Sequence, residues 1–160
     1  MENDNLARMI QLAEEFFNTR DDPEQISVTE ETMARLRMIH PATLTEETNE
    51  RGPIAWILVI PTTTAIMQRF VAGEISEREL LEITPLTGPC QALYLCSALV
   101  LPEHRGKGVA LSLVCRAIEA IRRDHPIEFL FYWGFSIEGG KLAEAAARKS
   151  GLPLQKRLGG

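Results

Sequence analysis

The pattern of apolar and polar positions predicts that the chain opens with helices. Apolar side chains recur at helical spacing between residues 6 and 17, which indicates an amphipathic helix with one buried face. The apolar positions are Leu6, Met9, Ile10, Ala13, Phe16 and Phe17. A second helix is expected to begin near Ser27-Val28-Thr29-Glu30, which has the form of a capping box, and to end before Pro41. Two helices should therefore precede the first strand.

Three apolar runs then predict the strands of a sheet. They cover Ile54 to Ile60, about Ala92 to Leu101, and Ile127 to Phe135. Helical patterns follow the second run, from about Val109 to Ile121, and the third run, from about Lys141 to Ser150. Alternation of strands and helices is typical of an α/β protein. The tail after the last helix has room for one short strand.

The segment between the first and second strands predicts two short helices. One runs through apolar positions to Gly73, and the other begins with the capping box Ser76-Glu77-Arg78-Glu79. A proline- and glycine-containing turn from Pro85 to Pro89 then leads into the second strand. No repeat or linker divides the chain, so we expect residues 1–160 to form a single domain.

The composition narrows the class of protein and its surroundings. The chain has 160 residues, of which 45% are hydrophobic and 24% charged, as in an ordinary globular domain. Its three cysteines, Cys90, Cys96 and Cys115, lack the spacing of zinc ligands, so we expect reduced thiols, no metal site and a cytoplasmic location. The net charge of -5 disfavours a nucleic-acid partner. No apolar run approaches the roughly 20 residues that cross a bilayer, so no membrane partner is expected.

A glycine-containing loop lies where the second strand gives way to a helix. It consists of Arg105, Gly106, Lys107, Gly108, Val109 and Ala110. Backbone amides at the start of a helix lack intrahelical partners, glycines allow close approach of an anion, and Arg105 and Lys107 add positive charge. The loop lacks the GxGxxG and GxxxxGK[ST] patterns of dinucleotide and nucleotide sites. These features predict a diphosphate-binding loop, although a basic turn of purely structural role has the same local sequence.

The run from Ala98 to Ala110 resembles the signature of the GNAT superfamily of N-acetyltransferases. In that signature a strand ending in hydrophobic-x-Pro leads to [QR]-x-x-G-x-[GA], and Arg105, Gly108 and Ala110 occupy its defining positions. The resemblance covers about Pro53 to Gly151. It implies an α/β fold of the α+β type, with a GNAT-like central mixed sheet flanked by helices. It also implies acetyl-CoA as co-substrate and an amine of a small molecule or protein as acceptor.

The same resemblance assigns roles to the strand and the loop. Backbone groups of Ala98 and Val100 would pair with the pantetheine arm of acetyl-CoA, and the amides from Arg105 to Ala110 would hold its pyrophosphate. The chain departs from the family in its helical start, in the helical segment between the first two strands, and in its short end. The short end predicts an open sheet edge, and hence a homodimer, because natural proteins rarely leave such edges unpaired.

The catalytic residues are less clearly indicated. The family tyrosine that protonates the thiolate is replaced by Ala147, and the asparagine common at the start of that helix is replaced by Gly140. We predict that Tyr132 on the third strand serves as the acid instead of the missing tyrosine. We predict that Glu138, in the loop before the last helix, serves as the base. The structural alternatives are that Tyr132 is an ordinary core aromatic and that Glu138 is a favourable charge at the start of a helix.

Two further expectations concern neighbouring side chains. Trp133 and Phe135 should face the opposite side of the sheet from Tyr132, because side chains alternate along a strand. Cys96 lacks an evident histidine partner, so we expect it to be buried and inert. The missing tyrosine also leaves open a non-catalytic acyl-CoA-binding or regulatory module. A third alternative is a structural or dimerisation domain with an ordinary basic loop.

Overall fold

The computed structural model describes residues 4–20, 29–134 and 136–158, and this part of the chain contains six α-helices and five strands. The helices are α1 (Asp4–Arg20), α2 (Glu30–Ile39), α3 (Thr64–Val71), α4 (Glu77–Ile83), α5 (Val109–Arg122) and α6 (Ile137–Ser150). The strands are β1 (Leu44–Asn49), β2 (Gly52–Thr62), β3 (Ala92–Val100), β4 (Phe129–Trp133) and β5 (Leu154–Arg157). Two turns of 3-10 helix, Pro41–Thr43 and Pro102–His104, precede β1 and follow β3.

The strands form one mixed sheet in the order β1-β2-β3-β4-β5. β1, β2 and β3 pair in antiparallel fashion, whereas β3, β4 and β5 run parallel. The parallel connections pass through α5 and α6, as parallel pairing requires a crossover. The protein is thus of the α+β type, a mixed sheet flanked by helices, which confirms the expected fold at that level.

Helices cover both faces of the sheet, and each face has its own hydrophobic core. Apolar side chains of α5 and α6, together with Met9 of α1, pack on one face, which we call the α5 face. Side chains of α2, α3 and α4, with Phe70 and Leu80 fully buried, pack on the other, which we call the α3 face. The alternation of β2 and β3 between the two cores fixes their register, because a slip by one residue would exchange the faces.

The strand predictions hold for the three apolar runs, but the sequence pattern misses β1. Its residues are mostly polar and its side chains are half-buried or exposed, as suits an edge strand. β2 is longer than the predicted run from Ile54 to Ile60, because the strand begins at Gly52 and continues through Pro61, which lies opposite Leu93. β4 is shorter than predicted, and Phe135 lies outside the described residues. The predicted final strand is present as β5.

The number of helices is as predicted. The structure differs from the prediction in the residue that caps α2 and in the buried face of α1. α2 is capped by Thr29, whose hydroxyl accepts from the Thr32 amide, and Ser27 lies outside the described residues. In α1, Met9 is buried whereas Leu6 and Ile10 are exposed, so the buried face differs from the predicted one. Among the described residues, no helix is long and apolar enough to cross a bilayer.

A pair of histidines joins the end of α2 to the turn after α5. His40 Nδ1 accepts the Ala42 amide at 2.9 Å, and its Nε2 lies 2.7 Å from an Asp124 carboxylate oxygen. His125 Nδ1 accepts the amide of Cys90 at 3.1 Å. Burial lowers the pKa of His125, His40 lowers this pKa further, and Asp124 acts in the opposite direction. The fold therefore favours the neutral form of His125.

We predict that acidification destabilises the protein in part through His125. A histidine whose folded pKa is depressed leaves the unfolded chain binding more protons, so stability falls as pH drops below its ordinary value of about 6.5. His125→Asn keeps an acceptor oxygen for the Cys90 amide but does not titrate. Urea unfolding should show a smaller loss of stability between about pH 7.5 and about pH 5.5 in this variant than in the wild type. Equal losses in both proteins would contradict the prediction.

Candidate functional site

Strand β3 is paired along its whole length on one side and only over its first part on the other. It pairs with β2 from Ala92 to Val100, but with β4 only from Ala92 to Leu95, where Leu95 lies opposite Tyr132. Beyond this point β4 continues in register with β5 alone. The second half of β3 therefore borders an opening in the sheet.

An irregularity in β3 coincides with the end of this pairing. Ser97 pairs with Leu58 and Leu95 with Val59, so Cys96 is the extra residue of a β-bulge. Such bulges bend a strand and re-aim its side chains. The side chains from Leu95 to Ala98 are half-buried, in contrast to the fully buried start of the strand. The bulge thus marks the inner end of the opening.

The backbone groups of Ala98 and Val100 point into the opening. The Leu101 amide donates to the Ile54 carbonyl at 2.9 Å, and antiparallel pairs alternate between bonded and non-bonded residues. By this alternation Leu99 directs its polar groups at β2, while Ala98 and Val100 direct theirs away from it. The predicted pairing of Ala98 and Val100 with a pantetheine arm requires backbone groups that point in this direction.

The predicted loop connects this strand to α5 at the same end of the sheet. Gly106 and Gly108 adopt left-handed backbone conformations with φ of 75° and 77°, which glycine tolerates without steric cost. Gly108 is the N-cap of α5 and has no side chain with which to cap it. The first amides of α5 precede the helical hydrogen bond from the Ser112 amide to the Gly108 carbonyl. They form a set of donors at the helix end where the macrodipole is positive.

The charged residues of the loop are placed differently from one another. Arg105 is exposed and its Nε donates to the Val100 carbonyl at 2.9 Å, which ties the loop to the open side of β3. Lys107 is exposed, and Val109 and Ala110 are half-buried at the start of α5. A guanidinium has five N–H donors, so a single bond to Val100 is compatible with a second role in anion binding.

Helix α1 anchors the turn that leads into the loop. Both terminal nitrogens of Arg8 donate to the Glu103 carboxylate, each at 2.6 Å. The side-chain hydrogen bond from Arg8 lowers the pKa of Glu103 to about 2. Glu103 therefore stays ionised at neutral pH, and α1 and the turn before the loop are held together by a bidentate ion pair.

Tyr132 lies on the α5 face, at the point where pairing between β3 and β4 ends. It is buried, and a Cβ added at Gly140 would lie 3.6 Å from its hydroxyl oxygen. The hydroxyl of Tyr132 thus lies against the first turn of α6, at a distance where a small side chain at position 140 would make an ordinary contact. Trp133 packs on the α3 face, so the expected opposition of these two side chains is confirmed.

Glu138 is not in a loop, because α6 begins at Ile137, four positions before the predicted start at Lys141. Ser136 caps the helix by accepting the Gly139 amide at 3.0 Å. A serine cap explains the earlier start, since it satisfies an amide of the first turn despite the two glycines there. Glu138 is exposed in that turn, where a carboxylate stabilises the helix through the macrodipole. This position fits the structural alternative better than the catalytic one.

The structure brings together a polar cluster that the sequence analysis did not identify. Glu77 of α4 is 1% exposed, and its Oε2 accepts from the Tyr94 hydroxyl at 2.5 Å and from the Cys96 thiol at 3.5 Å. We call Glu77, Tyr94 and Cys96 the carboxylate cluster. Cys96 is half-buried and hydrogen-bonded to Glu77, which corrects the expectation that this thiol is buried.

The fold of α4 explains why a carboxylate lies on an apolar face. The capping box of Ser76 and Glu79 is confirmed and fixes the first turn of the helix. Glu77 then shares a helix face with Leu80 and Leu81, both buried. The spacing of these three residues was the signal in the sequence: an acidic residue at an apolar position of an amphipathic pattern.

A cation from β5 lies on the same side of the sheet. The buried Arg157 donates through Nη1 to the Ile75 carbonyl at 2.7 Å, two positions before Glu77. Its guanidinium lies 4.5 Å from the ring centre of Phe70 and 4.2 Å from that of Trp133. The Phe70 ring in turn lies 4.9 Å from that of Tyr94. The aromatic rings thus connect Arg157 to the carboxylate cluster.

Comparison of the chain with protein-family models, with curated proteins and with solved structures found no match. Within the described ranges, no group of three or more His, Cys, Asp or Glu residues is arranged to hold a metal ion. Function must therefore be inferred from the opening beside β3, the loop before α5 and the carboxylate cluster.

We predict that Tyr94→Phe destabilises the protein by about 1.5–3 kcal/mol, because it removes a hydrogen bond to a buried charged group. Tyr132→Phe is the matched control, since it deletes a tyrosine hydroxyl on the other face of the sheet, and it should have a smaller effect. Glu77→Gln in the Tyr94→Phe background should restore part of the loss by removing the buried charge. Urea titration at 25 °C measures all of these variants. Equal stability of Tyr94→Phe and wild type would contradict the prediction.

Proposed function

We propose that this protein is an acetyl-CoA-dependent N-acetyltransferase with a GNAT-like fold. The observation that carries the proposal is the opening beside β3. The strand loses its β4 partner after Leu95, while Ala98 and Val100 aim their backbone groups into the gap. The glycine loop stands at the outer end of the same strand. An extended cofactor with a diphosphate at one end and a thioester at the other matches this order of groups.

The backbone donors and acceptors define how acetyl-CoA would lie. The pantetheine arm carries amide groups that can add to β3 in the manner of a short strand, through Ala98 and Val100. The pyrophosphate would accept from the amides at the start of α5, with Gly108 allowing close approach. The thioester would then lie near the bulge at Cys96, where the two parallel strands separate. Each part of the cofactor meets groups of the matching chemistry.

The reaction requires polarisation of the thioester carbonyl, a neutral amine and protonation of the departing thiolate. In the proposed site a backbone amide near the bulge polarises the carbonyl. Tyr132 remains our candidate for the acid, because it lies opposite Leu95 at the inner end of the opening. The exposed position of Glu138 in the first turn of α6 argues for a helix-stabilising charge instead of a base.

One observation favours a second candidate, a non-catalytic acyl-CoA-binding module. Ala147, which replaces the family tyrosine, is 9% exposed and packs in the core of the α5 face. A protein that binds acetyl-CoA without using it would need no acid there. Release of free CoA in the presence of amines separates the two: an enzyme releases it with at least one amine, and a binding module with none.

We predict that Gly108→Asp lowers the affinity for acetyl-CoA at least about tenfold relative to Gly108→Asn. Both side chains tolerate the left-handed backbone at this position, and they differ mainly in charge. The aspartate carboxylate should repel the diphosphate and compete for the amides of the first turn. Isothermal titration calorimetry measures the two affinities directly.

Gly73 provides the control for backbone strain. Its φ is 80°, and a Cβ added there, as at Gly108, meets no atom within 4 Å. Gly73→Asp should therefore have a similar folding cost and leave acetyl-CoA affinity unchanged. Equal binding by Gly108→Asp and Gly108→Asn would contradict the assignment of the diphosphate to this loop.

We further predict that Arg105→Ala weakens acetyl-CoA binding by at most about 1.5–3 kcal/mol, the range for one charge-assisted hydrogen bond. Arg105→Lys keeps the charge but cannot reproduce the Nε bond to the Val100 carbonyl. Measuring acetyl-CoA affinity of wild type, Arg105→Ala and Arg105→Lys at low and high salt separates the effect of the positive charge from that of the Nε hydrogen bond. If Arg105→Ala binds as tightly as wild type at low salt, Arg105 does not contact the cofactor.

A further inference from the structure

The Val100 carbonyl, one of the backbone groups that border the opening beside β3, already has a partner within the protein. The Nε of Arg105 donates to this oxygen at 2.9 Å. The Leu101 amide bonds the Ile54 carbonyl of β2, so by the alternation of an antiparallel ladder the polar groups of Val100 point away from β2. The guanidinium of Arg105 therefore lies at the outer end of the opening, on its β3 side.

This hydrogen bond leaves the charge of Arg105 without a counter-charge. Among the residues that the structure describes, the Arg105 side chain forms no ion pair, and the Val100 carbonyl is its one hydrogen-bond partner. Both terminal nitrogens of Arg8 hold Glu103, the nearest carboxylate along the chain, at 2.6 Å. A guanidinium binds a phosphate more strongly than a neutral carbonyl, because both partners are then charged. Arg105 therefore gains by exchanging Val100 for an anion within its reach.

The loop places a set of anion-binding groups close to the same side chain. Gly106, next to Arg105, has a left-handed backbone with φ of 75°, and Gly108 caps α5. The first amides of α5, at the positive end of the helix, begin four residues after Arg105. Arg105 is exposed, so no packed core holds its side chain at Val100. The Val100 carbonyl and a diphosphate at the start of α5 would thus compete for one guanidinium.

We propose that Arg105 is a specificity-determining residue that selects thioester donors carrying a diphosphate. This inference rests on the proposed function and concerns the donor. In the ligand-free protein Arg105 caps the Val100 carbonyl and covers the outer end of the opening. When a diphosphate binds at the start of α5, Arg105 turns to it and leaves Val100 to the pantetheine arm.

This exchange defines the chemical class of donor as an acyl-CoA. A thioester of pantetheine alone has no phosphate to draw Arg105 away, and a pantetheine arm attached to a protein has a single phosphate with less charge. Either one must compete with Arg105 for the outer end of the opening. An acyl-CoA removes this competitor as it binds, because its diphosphate and its pantetheine arm belong to one molecule.

The exchange has opposite effects on the two halves of acetyl-CoA. For the pantetheine half Arg105 is a competitor, because binding at Val100 first requires the loss of the Nε hydrogen bond. For the diphosphate half Arg105 is a partner. Removal of the side chain should therefore strengthen the binding of one half and weaken the binding of the other. A residue that only stabilises the loop would change both affinities in the same direction.

The test measures the two halves separately, with S-acetyl-pantetheine and ADP as probes, in wild type, Arg105→Ala, Arg105→Lys and Lys107→Ala. Lys107 is the matched control, because it is an exposed cation of the same loop and, within the described part of the chain, no hydrogen bond joins it to β3. Calorimetry gives each affinity, and circular dichroism checks that each variant is folded. NMR follows the Nε–H resonance of Arg105, which Arg105→Lys identifies by its loss.

We expect Arg105→Ala to bind S-acetyl-pantetheine about two- to tenfold more tightly than wild type, the range for one hydrogen bond. The same variant should bind ADP at least about threefold more weakly. Arg105→Lys keeps a positive charge without the Nε bond, so it should gain affinity for S-acetyl-pantetheine and keep most of its affinity for ADP. Lys107→Ala should lose affinity for ADP alone. In wild type, acetyl-CoA and ADP should both shift the Nε–H resonance.

Two results would overturn the inference without touching the proposed function. One is S-acetyl-pantetheine binding by Arg105→Ala that is no tighter than in wild type, since Arg105 would then not compete for the opening. The other is an Nε–H resonance that acetyl-CoA leaves unchanged, and this readout decides the question where S-acetyl-pantetheine binds too weakly to measure. A wild type that does not bind acetyl-CoA at all would overturn the proposed function as well.

Discussion

The unequal pairing of β3 is the constraint on which the rest of the structure depends. Hydrogen bonding to β2 along the whole strand holds β3 rigidly, while the loss of β4 after Leu95 leaves one row of backbone groups directed into a gap. Buried backbone groups are expensive to leave unpaired, so solvent or a ligand must satisfy those groups in the gap that Arg105, which donates to the Val100 carbonyl, does not reach. The bulge at Cys96 and the separation of the parallel strands occur at the same residue pair.

The helical segment between β2 and β3 packs on the α3 face of the sheet. α3 and α4 cover the sheet with an apolar core, yet α4 directs Glu77 into that core where a leucine would pack more simply. A buried carboxylate persists only with donors in place, which Tyr94 and Cys96 supply. The cost of burying this charge is therefore offset within the carboxylate cluster itself.

The sequence predicts those parts of the fold that depend on local periodicity and capping. The apolar runs of β2, β3 and β4 and the capping box at Ser76 have direct local signals. β1 escapes prediction because its pattern depends on its position at the sheet edge, and the start of α6 depends on a cap by Ser136. The loop residues are contiguous and therefore predictable as a set. The carboxylate cluster could not be predicted from the sequence, because Glu77 and Cys96 are brought together only by the packing of α4 on the sheet.

Separate hydrophobic cores cover the two faces of β3, so the gap beside the strand lies between two packed layers. A thioester must be shielded from water until an acceptor arrives, and a position between two cores would offer such shielding on both sides. Under the proposed function, the loop before α5 would hold the diphosphate and the reactive end of the cofactor would lie near the bulge at Cys96. The end of one ladder of hydrogen bonds at Leu95 would thus fix where the cofactor ends and where an acceptor must meet it.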